Sequence, residues 1–566
     1  MSPANRALGA TLIAPDRCEF RVWSPYRDRV ELRIDSHLFP MKKNADGYHE
    51  ATIEARPGTH YSYVLDGVAR PDPASRYQPE SVHGPSEVVS RDFDWHDAQW
   101  KGIALEDHVL YELHVGTFTP EGTFEAIIAK LDALKDLGIT AIELLPIGQF
   151  PGTRNWGYDG VYISAAQNSY GGPLGLKRLV DAAHQRGLAV ILDVVYNHLG
   201  PEGNYLREFG PYFTDRYKTP WGQALNFDGP HSDHVRWFFI HNALMWIDEF
   251  HVDALRVDAV HAIIDHSAEP FLQDLTTAVR DRARELGRRI YMIAESDLND
   301  PRVITPKESL GLGFDSQWSD DLHHSLHALL TPERTGYYVG YGKTGDLARA
   351  ISTGYLYTGQ HSVYRGRKYG LEPKTKDGAQ FIVYAQNHDQ VGNRMHGERL
   401  STLVSPEKVR LAAAVVILSP FLPMLFMGEE YGETAPFQYF TSHSDEDLIN
   451  AVRRGRREEF DDFEWVGEAP DPHAEDTFLR SKLRWKEDAS LRDFYRQLLR
   501  LRRETPALRS LDLRAVETRV EGNVVLVRRG DTLVAFNFSD KERAVEGHTL
   551  AAWGFRIWSC ETPRPA

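Results

Sequence analysis

LAVILDVVYNH (188–198) is a run of Ala, Val, Ile and Leu that ends abruptly in polar residues. An apolar run without alternation reads as a strand buried on both faces, as in a parallel sheet covered by helices. Just upstream, LKRLVDAAHQRG (176–187) has apolar residues at helical spacing and ends in Gly, a common helix stop. The two together read as helix, tight turn, buried strand.

The same unit recurs in both directions. HVLYELHV (108–115) is a strand, TFEAIIAKLDALKDLG (123–138) a helix ending in Gly, and ITAIELLPI (139–147) a buried strand. An irregular segment (199–231) follows. HVRWFFIHNALMWIDEF (234–250) then reads as helix, VDALRVD (252–258) as strand, EPFLQDLTTAVRDRARELG (269–287) as helix and RIYMIAE (289–295) as strand. FDSQWSD (314–320), FIVYAQNHD (381–389) and PMLFMGEE (423–430) read as three more strands. Strands alternating with helices predict a parallel sheet, and about eight rounds predict an α/β fold with a closed (β/α)8 TIM barrel. An open doubly wound sheet would carry a Gly-rich phosphate turn after its first strand. HVGTFTPEGTF (114–124) is not that fingerprint.

Around the barrel the periodicity changes. CEFRVWSP (18–25), RVELRIDS (29–36), YHEATIE (48–54) and HYSYVLDG (60–67) alternate apolar and polar residues, predicting an N-terminal β-sandwich. RAVETRVEGNVVLVRRGDTLVAFNFSD (514–540) and GFRIWSC (554–560) predict a C-terminal all-β domain. The expected division is a sandwich over 1–92, resembling carbohydrate-binding modules, a barrel over 93–505 with an enlarged loop 199–231 after strand 3, and an antiparallel β-domain over 506–566. RRGRREEFDDFEW (453–465) reads as a solvated loop or exposed helix.

The chain has 566 residues and a net charge of −16, which argues against a nucleic-acid or anionic-membrane partner. Its 12 Trp, 25 Tyr and 26 Phe supply flat apolar faces of the kind that stack on sugar rings. Two cysteines, Cys18 and Cys560, exclude a disulfide framework and a Cys-rich metal site, and are read as free thiols. The N-terminus lacks the basic start and long apolar core of a signal peptide. The most apolar stretch, Leu411 to Met427, contains Ser419, Pro420 and Pro423 and reads as a buried helix followed by a buried strand rather than a membrane span. A soluble, cytoplasmic, monomeric protein is expected.

In a (β/α)8 barrel, residues just past each strand's C-terminal end line one mouth. Asp193, Asn197 and His198 follow strand 3, Arg256, Asp258 and His261 strand 4, Glu295 strand 5, and Asn387, His388 and Asp389 strand 7. Three acids (Asp258, Glu295, Asp389) beside an Arg suit glycosidic bond cleavage, which needs an ionised nucleophile and a protonated acid. Arg256 lies two residues before Asp258, on the same face, where it would hold that carboxylate ionised. Crowding by other carboxylates would keep the acid protonated. Strand-end acids also cap helices, Arg256–Asp258 also reads as a structural ion pair, and an Asp/Glu/His cluster also suits a divalent metal. Metal-dependent barrels of that kind usually place an H-x-H after strand 1, whereas this chain has the single His114 there.

DVVYNH (193–198), ALRVDAVH (254–261), IAES (293–296) and QNHD (386–389) resemble the four sequence regions of the α-amylase family, glycoside hydrolase family 13. The resemblance implies Asp258 as nucleophile, Glu295 as acid/base and Asp389 as transition-state stabiliser. It implies that Arg256, His198 and His388 contact the attacked sugar, with Asp193 in the same group. NWGYDG (155–160) is similar to the segment whose aromatic, here Tyr158, stacks under that sugar, beside Asp159. Many amylases carry Lys-His after the nucleophile strand. Val260 and His261 stand there in this chain, so the leaving-group side is expected to differ.

A sandwich before the barrel is shared by branching, debranching and trehalose-releasing members of the family. DPASRYQPESVHGPSEVV (72–89), LYELHVGTFTPEGTF (110–124), FGPYFTDRYKTPWGQALNFDG (209–229) and QNHDQVGNR (386–394) are similar to the trehalose-releasing ones. That resemblance implies maltooligosyl trehalose and related α-glucans as substrates, hydrolysis of the α-1,4 bond next to the terminal trehalose, and action after the synthase that makes this substrate. It also implies retention of anomeric configuration, with the nucleophile and acid about 5–5.5 Å apart, and no cofactor or metal. Candidates for the wall around the bent trehalose end are Tyr212, Phe213, Tyr217 and Trp221 of the long loop, and Asp320, Asp321 and His324 of WSDDLHH (318–324). Asn393 and Arg394 are further candidate substrate contacts. The alternatives are a branching transferase, a debranching hydrolase, and a glucan-binding protein without activity.

Overall fold

The computed structural model describes residues 6–375, 377–460, 468–486 and 488–559. Eight parallel strands close into a barrel: β1 (Leu110–Leu113), β2 (Ala141–Leu144), β3 (Ala189–Val194), β4 (Ala254–Val257), β5 (Tyr291–Ala294), β6 (Ser316–Trp318), β7 (Phe381–Val383) and β8 (Leu422–Phe426). They pair in chain order, and β8 returns to β1 through Leu110 opposite Met424. Every crossover but one carries an α-helix; between β5 and β6 only a three-residue 3-10 turn, Lys307–Ser309, stands where the alternation predicts a helix. The register sets Asp193 beside Arg256 on neighbouring strands, so their side chains share the barrel interior.

The Leu411–Met427 stretch is a helix (Pro406–Leu418) followed by β8, both buried. Among the described residues no helix is long and apolar enough to cross a membrane. The segment read as one helix over 123–138 is two, Phe124–Ile128 and Leu131–Leu137, and the second ends at Gly138 with φ 112°. That left-handed C-cap satisfies the last carbonyls at little steric cost because glycine has no Cβ.

Before the barrel lie two antiparallel sheets. One pairs Gly9–Ala14, Arg17–Trp23, Tyr48–Glu54 and Lys42–Lys43. The other is built on Val30–Ile34 and His60–Leu65. Along Arg17–Trp23 burial alternates only at the start, where Cys18 lies between an exposed Arg17 and a half-buried Glu19; Phe20 to Trp23 are all buried, so that half of the strand is covered on both faces. Cys18 is a free thiol, and Cys560 lies outside the described residues. After the barrel, Val516–Glu521, Val524–Arg529, Thr532–Asn537 and Phe555–Ser559 form a four-stranded antiparallel sheet.

The loop after β3 is structured. It holds a short helix (Leu206–Phe209) and a hairpin of Phe213–Thr219 with Gly222–Leu225. It docks on the N-terminal sheets: Ser24 Oγ donates to the Phe209 carbonyl at 2.8 Å, and Trp23 packs edge-on against Tyr212. The charged segment that reads as solvated is largely a helix, Glu446–Phe460; residues 461–465 of RRGRREEFDDFEW lie outside the described residues.

Candidate active site

A cleft of about 610 Å³ opens at the C-terminal mouth of the barrel. Asp258, Glu295 and Asp389 all line it, although they leave β4, β5 and the segment after β7. Arg256 lies beneath them, fully buried. Its Nη1 donates to Asp258 Oδ1 at 2.9 Å and to Asp193 Oδ2 at 2.7 Å, and its Nη2 lies 3.6 Å from Glu295 Oε2. The guanidinium also stacks over Trp318, 4.1 Å from the ring centroid. A cation held this far from water is tolerable because acids surround it on several sides. Asp258 Oδ2 accepts from Asn197 Nδ2 at 2.7 Å, so both oxygens of the candidate nucleophile are oriented.

Glu295 sits differently. Burial pushes its carboxyl well above the usual range, and the neighbouring charges of Asp258, Asp389 and Asp320 add to this against the opposing pull of Arg256. Asp320 is itself pushed up to about 6 by burial, against the hydroxyl of Tyr384, which donates to it at 2.6 Å. One carboxylate held by a cation and one kept protonated is the division of labour that acid-assisted displacement needs.

The floor on one side is aromatic. Tyr158 and His388 stack with centroids 5.2 Å apart. Tyr158 OH donates to Asp193 Oδ2 at 2.7 Å, so its oxygen accepts from His388 Nε2, 2.8 Å away. His388 Nδ1 donates to Glu112 Oε1 at 2.5 Å. Both ring nitrogens therefore carry protons. Burial opposes that charge, but Asp389 and Glu112 prevail and push His388 up to about 9. His198 lines the cleft with Trp221 stacked on it at 4.7 Å.

On the Glu295 side, Asp297 accepts from Arg365 Nη2 at 2.7 Å, and His261 lies 3.6 Å from its other oxygen. A narrower recess of about 40 Å³ continues there, lined in part by Asp297, Asp320, His324, Tyr337, Tyr364 and Arg365. Burial lowers the His324 imidazole to about 3, so it lines the recess as a neutral ring.

Tyr158, Asp159, His198, Asp258, His261, Glu295, Asp320, His324, Asp389 and Asn393 thus meet at one cleft. Asp193, Arg256 and His388 lie behind that surface. Two expected contacts are occupied elsewhere. Asp321 lines the narrower recess rather than the main cleft, and there its carboxylate already accepts from Asn299, Tyr341 and the backbone N–H groups of Leu356 and Tyr357. Arg394 makes two bonds to Glu333 at 2.7 and 2.8 Å. Of the loop aromatics, only Trp221 lines the cleft. Tyr212 is buried against Trp23 and Phe238, Phe213 sits beneath Arg207, and Tyr217 donates to Asp228.

Sequence reading missed Glu112 and Glu143, two interior acids on β1 and β2. Both Glu143 oxygens are buried without a protein partner, and burial with Glu112 beside it holds the carboxyl well above its usual range. The signal was present: an acid inside the apolar run ITAIELLPI is costly unless neutral or paired. Asp297 and Arg365 left no such trace, since they lie in loops. Among the described residues no group of three or more His, Cys, Asp or Glu has the arrangement of a metal site.

The family model for alpha-amylase (alpha amylase, catalytic domain) matches residues 88–224. A malto-oligosyltrehalose trehalohydrolase of Saccharolobus solfataricus is 52% identical over 492 residues, 86% of each chain. One from Rhizobium sp. is 44% identical, covering 92% of this chain and 91% of that protein. A crystal structure of a putative alpha amylase from Salmonella typhimurium superposes with a TM-score of 0.91 at 38% identity, over 98% of this chain and all of that one.

Proposed function

The chain belongs to the malto-oligosyltrehalose trehalohydrolases of the α-amylase family, and on that premise we propose how its residues carry out the hydrolysis. It is a glycosidase that cleaves the α-1,4-glucosidic bond next to the terminal trehalose of maltooligosyl trehalose. Transferase and debranching activities are not favoured, since relatives matching along most of the chain carry the trehalohydrolase name.

Asp258 attacks the anomeric carbon of the glucose next to trehalose while Glu295 protonates the departing trehalose oxygen. The glycosyl–Asp258 ester is then opened by a water that Glu295 deprotonates, giving net retention, with the two carboxyls about 5–5.5 Å apart. Asp389 stabilises positive charge at the anomeric carbon, and Tyr158, backed by His388, forms the platform under the attacked ring. The observation that carries this reading is Arg256, whose single guanidinium touches Asp258 and approaches Glu295, while burial keeps Glu295 protonated.

Because Glu295 protonates the leaving group, trehalose occupies the side lined by His261, Asp297, His324 and Arg365. The cleft closes down there into a recess too small for a sugar ring, which suits a groove that ends behind a terminal disaccharide. The polar side chains that line the recess, Asp297, Asp320 and Arg365 among them, favour a ligand whose hydroxyls meet them, because a poor fit leaves them unpaired. We further infer a cytoplasmic monomer acting after the synthase that makes its substrate. The test is product analysis with maltooligosyl trehalose and with plain maltooligosaccharide. Free trehalose from the first is expected. New α-1,6 branches, or no trehalose, would overturn the reading.

A further inference from the structure

The helix Glu446–Phe460 belongs to the segment whose sequence reads as solvated, yet Val452, Gly455, Arg456 and Glu459 line the catalytic cleft. Their spacing of three, four and seven residues puts them on one helical face. Arg456 fixes that face. It donates to the Gly392 carbonyl at 3.2 Å and to Asn393 Oδ1 at 3.1 Å, stacks over Tyr439 at 4.8 Å, and pairs with Glu459. Asn393 in turn lies 3.4 Å from Asp389 Oδ1. The helix is therefore tied through two side chains to a catalytic acid.

Gly455 is the informative residue. Glycine inside a helix is costly, and it is usually explained by close packing. Among the described residues a Cβ at Gly455 would meet nothing within 4 Å, so none of them requires the small residue. The open space lies on the cleft wall.

Resting on the hydrolytic reading above, we propose that the face Val452–Gly455–Glu459 is a subsite for the glycone arm, the glucose units beyond the one that is attacked. Direction follows from the chemistry. Glu295 must face the leaving trehalose, so the rest of the glucan runs the other way; Trp156, Tyr158 and Asp159 share the cleft with this helix, and Tyr439 joins them, packed on Trp156 and under Arg456. The arm is the long end of the substrate and needs an open, walled groove. Gly455 leaves the width for a sugar ring, Glu459 presents a carboxylate to its hydroxyls, and Arg456 acts as a positioning residue.

The test compares kcat/KM on glucosyl trehalose, which has one glycone glucose, with maltotetraosyl trehalose, which has four. Gly455→Trp, which fills the groove, is expected to lower kcat/KM for the longer substrate by at least about tenfold and to change the shorter by less than about twofold. Glu459→Gln, which removes charge without bulk, is expected to act in the same direction by about threefold. Thermal unfolding of both variants reports any folding defect separately. Equal effects on both substrates, or an unchanged ratio in both variants, would overturn the proposal. A wild-type protein that released trehalose from neither substrate would instead sink the hydrolytic reading itself.

Discussion

The backbone N–H of Ala259 donates to Glu295 Oε2 at 2.5 Å, from a residue held in the left-handed region at φ 38°. That conformation costs a non-glycine residue about 1 kcal/mol. It turns the chain just past Asp258 so that the next N–H faces the acid. Ala259→Gly should keep kcat within about threefold and stability within about 1 kcal/mol, since relief of strain offsets the greater freedom of the unfolded chain. Ala259→Val should lose about 1–2 kcal/mol and slow turnover, because a β-branched residue resists this backbone. Steady-state kinetics and urea unfolding decide. A valine variant identical to wild type would show that the turn does not position Glu295.

Asp258→Ala should lower kcat on the order of 10⁴-fold or more while the protein stays folded. Glu295→Gln should slow natural substrate by about 10²–10⁴-fold, and far less a glycosyl fluoride, whose leaving group needs little protonation. Equal losses on both substrates would remove Glu295 from the acid role.

His388 links stability to pH. Its folded pKa of about 9 lies above the unfolded 6.5, so its contribution is fully present below about pH 6.5 and is lost as pH rises through about 9. The shift corresponds to about 3 kcal/mol at most. The stability gap between wild type and His388→Gln, from urea unfolding at several pH values, should be widest near pH 6 and narrow toward pH 9. A gap independent of pH would mean the imidazole is not held charged by Glu112 and Asp389.

Glu143 predicts the opposite trend. Its folded pKa is raised, so between the unfolded carboxyl pKa and the folded one each rise in pH favours the unfolded chain, which releases the proton first. Gln ionises in neither state. Glu143→Gln should therefore be more stable than wild type at pH 7 in urea unfolding, and the advantage should shrink toward pH 4. A destabilised glutamine variant at pH 7 would show that Glu143 is ionised and paired.

The chain's local pattern carried a large part of the architecture. Apolar runs such as ITAIELLPI and LAVILDVVYNH can only be buried strands, and the helices between them leave a parallel sheet as their solution. Short-range order failed where two outcomes differ by little. The helix over 123–138 broke in two, and no periodicity reveals a break of one turn. Asp320 and Asp321 are adjacent and chemically alike, yet helical geometry puts Asp320 in the main cleft, while Asp321 lines only the recess and is taken up there by Asn299 and Tyr341.

By itself the sequence determined the strands, their order and the polar residues at their ends, because strand and helix periods are written in neighbouring residues. Only the tertiary structure decided which of those polar groups face substrate, which carboxyl keeps its proton, and that a charged helix walls the cleft. Those outcomes depend on burial and on charges brought from distant segments, such as Glu112 to His388 and Arg456 to Asn393, and such contacts leave no mark on local spacing.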